Sequence, residues 1–290
     1  MKSGFVGIFG KPNAGKSTLL NHLLGEKLAI VSSKVQTTRH RIKGFLSKPG
    51  EYQIVFSDTP GIIEAKYKLH EKMMEAVKST LEDADIAILL ADVTDDLESC
   101  DALFQSLRLK VPVIVVLNKK DKVNKEVMQN AIHFFEAKPY AKKVLSIAAL
   151  QQQNTDKLVQ SIVELLPEGV PFYPEDELSD LPTRFFVSEL IREKIYTLFE
   201  EEIPYHVAVL VNEFKEKEYL IKIQADIIVN RDTQKSIIIG HKGNKIKEIG
   251  TLARKDIEAF LGRKVFLELF VKVRPKWRDN DLFLKEFGYH

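Results

Sequence analysis

The sequence predicts an α/β domain, with a mostly parallel sheet and helices on both faces, followed by a smaller α+β domain. Three observations predict this. Short apolar runs alternate with helical patterns from Phe5 to about Leu166, the order expected of repeated strand–helix units. Residues 167–182, PEGVPFYPEDELSDLP, then break that order with four prolines, five acids and no Lys or Arg. From Thr183 the order changes to a helix, two β-rich runs, further helices and a last strand. The 290 residues suit two domains at roughly 100–200 residues each. The boundaries read as 1–167 for the first domain, 168–182 for a semi-rigid acidic, Pro-rich linker and 183–290 for the second domain.

In the first part, residues 5–9 read as a strand and 17–24 as the start of a helix. Residues 52–56, 86–91 and 111–117 read as further strands. These three are apolar almost throughout, as a sheet covered on both faces requires. Helical patterns fall near 70–83, 97–108, 125–137 and 154–165. In the second part, 183–202 reads as one amphipathic helix, 206–214 and 219–229 as strands, 244–250 and 252–261 as two short helices, and 265–273 as a strand.

Hydrophobic residues make up 44% and charged residues 29% of the chain, which excludes a disordered, collagen-like or disulfide-framework protein. The formal net charge is only +2, so a nucleic-acid surface has to be sought in the local distribution of charge. A single cysteine, Cys100, excludes an internal disulfide and paired-cysteine zinc sites, and fits a helix residue in a reducing cytosol. Neither HExxH nor CxxC occurs, and the seven histidines are scattered. The longest unbroken apolar run, 86–91, is far below the roughly 20 residues of a membrane helix. The first ten residues hold too short an apolar stretch for a secretory signal. Any membrane association is therefore expected to be peripheral.

Gly10-Lys11-Pro12-Asn13-Ala14-Gly15-Lys16-Ser17, with Thr18 next, matches GxxxxGK[ST] between a strand and a helix. Such a turn aims successive backbone N–H groups at an anion and adds the positive end of the helix dipole. Lys16 is expected at the β- and γ-phosphates and the Ser17 hydroxyl on Mg²⁺. Asp58-Thr59-Pro60-Gly61 closes the strand at 52–56. Its carboxylate can hold Mg²⁺ through water and the Gly61 N–H can meet the terminal phosphate. Asn118-Lys119-Lys120-Asp121 follows the strand at 111–117. There Asp121 can accept from the N1–H and 2-amino group of guanine, a donor pair adenine lacks, so a buried Asp121 would reject the wrong base. The Lys119 stem is expected over the base plane. Val35-Gln36-Thr37-Thr38-Arg39-His40 reads as a loop in which a threonine completes the Mg²⁺ shell when a γ-phosphate is present. The spacing leaves Thr37 and Thr38 both open; Thr38 is carried as the working choice, with Lys16 and Gly61, for the catalytic set.

In this order the segments GKPNAGKS, TT, DTPG and NKKD resemble the translation-factor-like P-loop GTPases. The resemblance implies a fifth segment whose backbone touches the guanine oxygen. Spacing favours Ala148-Ala149, with alanine where that family usually has serine. After DTPG stand Ile62 and Ile63, where Ras-type enzymes orient the attacking water with glutamine. A slow intrinsic GTPase is therefore expected. Related GTPases with Asn at the position of Asn13 can recruit K⁺ near the phosphates, so GTP or GDP, Mg²⁺ and K⁺ form the expected cofactor set.

In the second part, Gly240-His241-Lys242-Gly243-Asn244-Lys245 follows an isoleucine run and precedes Ile246 and Ile249 at helical spacing. Two glycines let a backbone approach four nucleotides, and the helix start faces phosphate. Residues 235–278 hold twelve Lys or Arg against four acids, whereas 200–234 hold four against eight. That basic field suits a surface that tracks phosphates. Trp277 could stack on a base, though packing under the last strand suits it better.

The GxxG loop resembles a type II KH motif, and a GTPase domain, acidic linker and KH domain in this order resemble the Era family of bacterial ribosome-assembly GTPases. The resemblance spans the whole chain. It implies binding to the 3′ end of small-subunit ribosomal RNA, a role in assembling that subunit, action as a monomer in the cytoplasm, and peripheral contact with the inner membrane face. Two other readings use the same residues. A membrane-signalling GTPase would turn the basic patch to anionic lipid, which needs no glycine clamp. An RNA chaperone with a vestigial nucleotide site is opposed by the intact Lys16, Ser17, Asp58 and Asp121.

Overall fold

The computed structural model describes Met1–Tyr289. The residues form two compact units. Among the described residues, the first comprises 1–29, 38–64 and 73–180; the second comprises 30–37, 65–72 and 181–289. The second unit thus includes two short segments from the amino-terminal half of the chain.

The first unit is built on six strands: β1 (Lys2–Phe9), β2 (Ile42–Lys48), β3 (Tyr52–Asp58), β4 (Ile86–Asp92), β5 (Val113–Asn118) and β6 (Ala141–Ser146). They lie in the order β2-β3-β1-β4-β5-β6. All neighbours are parallel except β2 and β3, which form an antiparallel pair. Its helices are α1 (Lys16–Leu24), α2 (Lys68–Asp83), α3 (Leu97–Ser106), α4 (Lys125–Glu136) and α5 (Thr155–Leu165), the first turn of α2 falling in the second unit. Every residue of β4 and β5 is buried, the burial expected of central parallel strands. Phe9, Leu89, Val115, Leu117 and Phe135 belong to one core cluster. The sheet matters to function because β1, β3, β4 and β5 end together, and ligands in open α/β sheets bind beyond the carboxyl ends of the strands.

Residues read as a linker are laid against this unit as far as Asp180. Gln53 is fully buried, and its side chain is satisfied by the amides of Phe172 and Tyr173 and the carbonyl of Tyr173. Tyr173 stacks on Phe45 at 3.9 Å, and the Phe45 N–H donates to the Leu178 carbonyl at 2.9 Å. The segment thereby pairs with β2, the edge strand, and covers backbone that would otherwise be open to association.

The carboxy-terminal part of the second unit carries α6 (Thr183–Leu198), β7 (Ala208–Glu216), β8 (Ile221–Val229), α7 (Asp232–Ile239), α8 (Asn244–Leu261), β9 (Val265–Val273) and α9 (Asp281–Glu286). The sheet order is β7-β8-β9, with β7/β8 antiparallel and β8/β9 parallel. Val187, Ile191 and Ile195 of α6 share a core with Ile223 and Ile227 of β8 and with Ile249, Ala253 and Ile257 of α8.

Several elements differ from the sequence expectation. The two short helices at 244–250 and 252–261 are one helix of 18 residues. Gly250 interrupts the pattern but not the helix, because the stripe Ile249, Ala253, Ile257 runs through it into the core, and burial outweighs a glycine cost of about 1 kcal/mol. The first helix of this unit stops at Leu198 rather than 202. The isoleucine run 237–239, for which the sequence expectation names no element, ends a helix. Strands β2 and β6 have no counterpart in the sequence expectation, since IKGFLSK and AKKVLS are too polar to stand out at a sheet edge.

Candidate functional site

The chain turns from β1 into α1 through residues 10–15. Backbone geometry requires glycine here. Gly15 has φ +100, and a Cβ on it would stand 2.3 Å from the Asn118 amide nitrogen. A Cβ on Gly10 would stand 2.3 Å from the Leu90 carbonyl oxygen. Asn13 also takes a left-handed conformation, φ 62. The Lys16 ammonium donates to the carbonyls of Gly10 at 3.1 Å and Lys11 at 2.9 Å, so it arches back over the loop. Lys11 itself reaches the Ser99 hydroxyl.

Ser17, Thr38 and Asp58 converge. The Ser17 hydroxyl donates to Asp58 Oδ2 at 2.7 Å and lies 2.8 Å from Thr38 Oγ1, which donates to the same carboxylate oxygen at 3.2 Å. Of the two threonines left open by the sequence, Thr38 is the one whose hydroxyl stands here. Asp58 is fully buried, and its other oxygen, Oδ1, has no hydrogen-bond partner. A buried carboxylate oxygen without a donor calls for a cation or a ligand. Among the described residues there is no group of three or more His, Cys, Asp or Glu arranged to hold a metal ion. One carboxylate with two hydroxyls is a hard oxygen set that fits Mg²⁺, an ion that takes few protein ligands and completes its shell with water and phosphate.

Burial sets the electrostatics. Desolvation pulls the Lys16 ammonium from its ordinary 10.5 down to about 8, against the attraction of Asp58. Desolvation also pushes the Asp58 carboxyl up, against Lys16 and the Ser17 and Thr38 hydroxyls. Both groups are thus poised for opposite charge: Lys16 for an anion and Asp58 for a cation.

The remaining segment of DTPG abuts the phosphate loop. The Thr59 hydroxyl donates to the Ile8 carbonyl at 2.8 Å, and Pro60 is buried beside it. Gly61 lies so close to Pro12 that a Cβ would come within 2.9 Å of its backbone. Ile62 donates its N–H to the Gly10 carbonyl at 3.4 Å and packs partly into the core.

Asn118 ties three segments together. Its amide nitrogen donates to the Ala14 carbonyl and its oxygen accepts from the Ala149 N–H, both at 2.9 Å. The Ala148 N–H donates to the Gln153 carbonyl at 3.2 Å. Lys119, in the left-handed region at φ 63, pairs with Asp92. Asp121 is exposed, which corrects the expectation of a buried carboxylate. Thr18 sits in the first turn of α1, half-buried.

A second candidate site lies in the second unit. Gly240 and Gly243 have φ 71 and 78, and Lys242 between them has φ 50. A Cβ on Gly240 would meet Asn244 Oδ1 at 2.4 Å and Lys245 at 2.7 Å, whereas Gly243 faces open space. His241, Lys242 and Asn244 are exposed and Lys245 is half-buried, paired with Glu248 at 2.9 Å. Behind this loop a groove of about 410 Å³ runs between α8 and β9, lined by Ile246, Lys247, Gly250, Thr251, Arg254, Leu267 and Leu269. An apolar floor with cations at the rim suits bases and their phosphates. Sequence reasoning counts Lys247 and Arg254 as charge but misses that they share a groove with Leu267 and Leu269. The signal is the small Gly250 on the same helix face. Trp277 is fully buried and donates its indole N–H to the His206 carbonyl at 3.0 Å, so it packs and does not stack on a base.

A phosphate loop at the carboxyl end of a parallel sheet, with an NKxD segment and a GxxG unit following in the chain, defines a P-loop GTPase joined to a KH domain. Comparison with known proteins agrees. A family described as 50S ribosome-binding GTPase matches residues 5–119, and the KH domain family matches 202–278. GTPase Era of Geotalea daltonii is 46% identical over 290 residues, covering 99% of this chain and 97% of that protein. GTPase Era of Geobacter sp. strain M21 is 47% identical over 292 residues, covering 99% and 98%. The crystal structure of a single-residue variant of Aquifex aeolicus Era bound to GDP.AlF4⁻ superposes with a TM-score of 0.96 at 44% identity, covering 100% of this chain and 99% of that one. That of Era in complex with MgGDPNP and nucleotides 1506–1542 of 16S ribosomal RNA gives 0.95 at 44% identity, with the same coverage. The chain belongs to the Era family of GTPases.

Proposed function

We propose that this chain is a GTP-hydrolysing switch that binds the 3′ end of small-subunit ribosomal RNA and assists assembly of that subunit. The observation that carries the reading is the convergence of Ser17, Thr38 and Asp58, with a buried carboxylate oxygen left for a cation, beside the buried Lys16. In this reading the loop 10–18 holds the phosphates by its N–H groups and Lys16. Ser17, Thr38 and Asp58 hold Mg²⁺, directly or through water. When bound, the ion supplies neutralisation of the charge on the β- and γ-phosphates. Gly61 N–H meets the terminal phosphate, and Asp121 takes the guanine edge with Lys119, Ala148 and Ala149 bordering the base.

The chemistry of this site is positioning and electrostatics, since phosphoryl transfer asks for little covalent participation. Ile62 and Ile63 carry no group that can orient water, so intrinsic turnover is slow. K⁺ beside Asn13 would add charge near the phosphates and raise it. Residues 240–245 clamp the RNA backbone, and the groove of α8 and β9 takes bases. The RNA assignment is supported by the Era complex with 16S ribosomal RNA nucleotides. The chain works as a monomer in the cytoplasm; contact with the inner membrane face would be peripheral, as no helix among the described residues is long and apolar enough to cross a membrane.

The test is nucleotide binding and turnover by the full chain. It should retain GDP and GTP but not ATP, and Lys16→Ala should abolish binding or hydrolysis. Retention of ATP, or normal turnover in that variant, would refute the assignment. Turnover in K⁺ against Na⁺ tests the Asn13 proposal, and light scattering tests the monomer.

A further inference from the structure

Helix α6 buries charge that a packing helix does not need. Glu189, Arg192 and Glu193 are 6%, 1% and 5% exposed, and buried ions are costly unless fully engaged. Arg192 Nε donates to Glu189 Oε1 at 2.8 Å and Nη2 to Oε2 at 2.6 Å. This two-pronged pair fixes the guanidinium, whose Nη2 also donates to the backbone carbonyl of Thr37. One turn further on, the fully buried Tyr196 donates its hydroxyl to the Gln36 carbonyl at 2.9 Å. The guanidinium carbon of Arg192 lies 5.2 Å from the Tyr196 ring centre. Lys34 returns the grip, donating to the Tyr196 carbonyl at 2.6 Å and pairing with Glu200 at 3.0 Å. Gln36 sits at φ 59, a conformation that persists only when its surroundings hold it. Residues 30–37 and α6 belong to the same compact unit, so this grip is internal to that unit.

Two consecutive carbonyls are thus held immediately before Thr38, whose hydroxyl stands at Ser17 and Asp58. We infer that Arg192 and Tyr196 are positioning residues for the GTP-bound state: by fixing the carbonyls of Gln36 and Thr37 they set where the Thr38 hydroxyl stands. Glu189 serves them by orienting Arg192. The inference rests on the reading of Thr38 as the hydroxyl that answers the γ-phosphate. A helix that only packed against this loop would do as well with apolar residues; donors aimed at adjacent carbonyls hold one loop conformation against others. GDP lacks the γ-phosphate, so its affinity should be indifferent to them.

The experiment measures, on the full chain with Mg²⁺, the affinity for GDP and for a non-hydrolysable GTP analogue, and single-turnover hydrolysis. The variants are Thr38→Ala, Arg192→Met, Arg192→Lys and Tyr196→Phe. Arg192→Met and Tyr196→Phe should leave GDP affinity unchanged and lower analogue affinity or hydrolysis about fivefold or more, the equivalent of one lost hydrogen bond. Arg192→Lys, which keeps one donor, should recover part of the loss. Tyr196→Phe removes a single oxygen and carries the test should Arg192→Met fail to fold. If Thr38→Ala loses the preference for the analogue while Arg192→Lys and Tyr196→Phe both keep it in full, the positioning role is wrong. If Thr38→Ala itself keeps the preference, the fault lies in the reading of Thr38, and the inference falls with it.

Discussion

Lys16 is where pH acts on the nucleotide site. Its buried ammonium titrates near 8 in the absence of an anion, and a phosphate beside it would raise that value. The nucleotide complex therefore binds one more proton than the free protein above about pH 8. Affinity for GDP is full below that value and falls as pH rises through it, by at most about tenfold per pH unit for a single proton. Titration calorimetry at pH 7 and 9, in buffers of different ionisation enthalpy, should show weaker binding and proton uptake at the higher pH. A flat affinity across that range would separate Lys16 from the phosphates. Stability responds with the opposite sign: the unfolded chain keeps the proton up to 10.5, so relief of the buried charge makes this residue less destabilising between about 8 and 10.5. Gly15 makes a second prediction at this scale. Gly15→Ala would press a methyl against the Asn118 amide, which joins the phosphate loop to Ala149. Nucleotide affinity should fall about 5- to 150-fold, on the order of the 1–3 kcal/mol that breaking a buried hydrogen bond costs. Equilibrium binding of a fluorescent GDP analogue checks it; affinity within twofold of the parent would show that the contact is not needed.

Helix α8 shows how far an element can be read from sequence. The stripe Ile249, Ala253, Ile257 has helical spacing, yet Gly250-Thr251 reads as a break because sequence carries no knowledge of what the stripe packs against. The same gap hides β2 and β6, whose polar faces are explained only by their places in the sheet. It also hides the grip of α6, where Arg192 and Tyr196 look like ordinary helix residues until residues 36 and 37 are found against them. The phosphate loop, DTPG, NKKD and GxxG are legible because each needs particular residue types in consecutive order. Grooves and clamps, assembled from distant segments, are not. Gly250 separates the two roles of its helix. A Cβ there would meet Leu269 at an ordinary 3.6 Å, so Gly250→Ala fits without strain and gains helix propensity of about 0.5–1 kcal/mol. The same methyl enters the groove between α8 and β9. The variant should melt higher and bind RNA more weakly. Loss of stability would contradict the packing, and unchanged RNA affinity would move the bases out of this groove.

On the scale of the whole chain, a net charge of +2 conceals twelve basic residues against four acids in 235–278. Association with RNA should therefore be strongly salt-dependent while nucleotide binding is much less so, because in the proposed mode the nucleotide is held largely by N–H groups and a buried lysine. A KH clamp covers four nucleotides, and for single strands the logarithm of affinity falls with slope about −0.7 per neutralised phosphate. Binding of the small-subunit 3′ tail should thus show a slope of about −3, and a steeper one where more of the basic field meets phosphate. Gly243→Asp sharpens this. No atom lies within 4 Å of a Cβ at Gly243, and Asp is among the residues that tolerate a left-handed backbone. The change therefore sets a carboxylate where phosphates are proposed to lie, with no atom to collide with and only the backbone strain that any side chain meets at φ 78. RNA affinity should fall at low salt most of all, where the repulsion is least screened, and GDP affinity should stay that of the parent. A filter-binding series from about 50 to about 300 mM salt reads both quantities. A slope near zero, or a Gly243→Asp chain with undiminished affinity for RNA, would show that the basic field serves something other than a phosphate backbone. Parallel loss of GDP binding in that variant would show instead that the two sites do not act as separate parts of one switch.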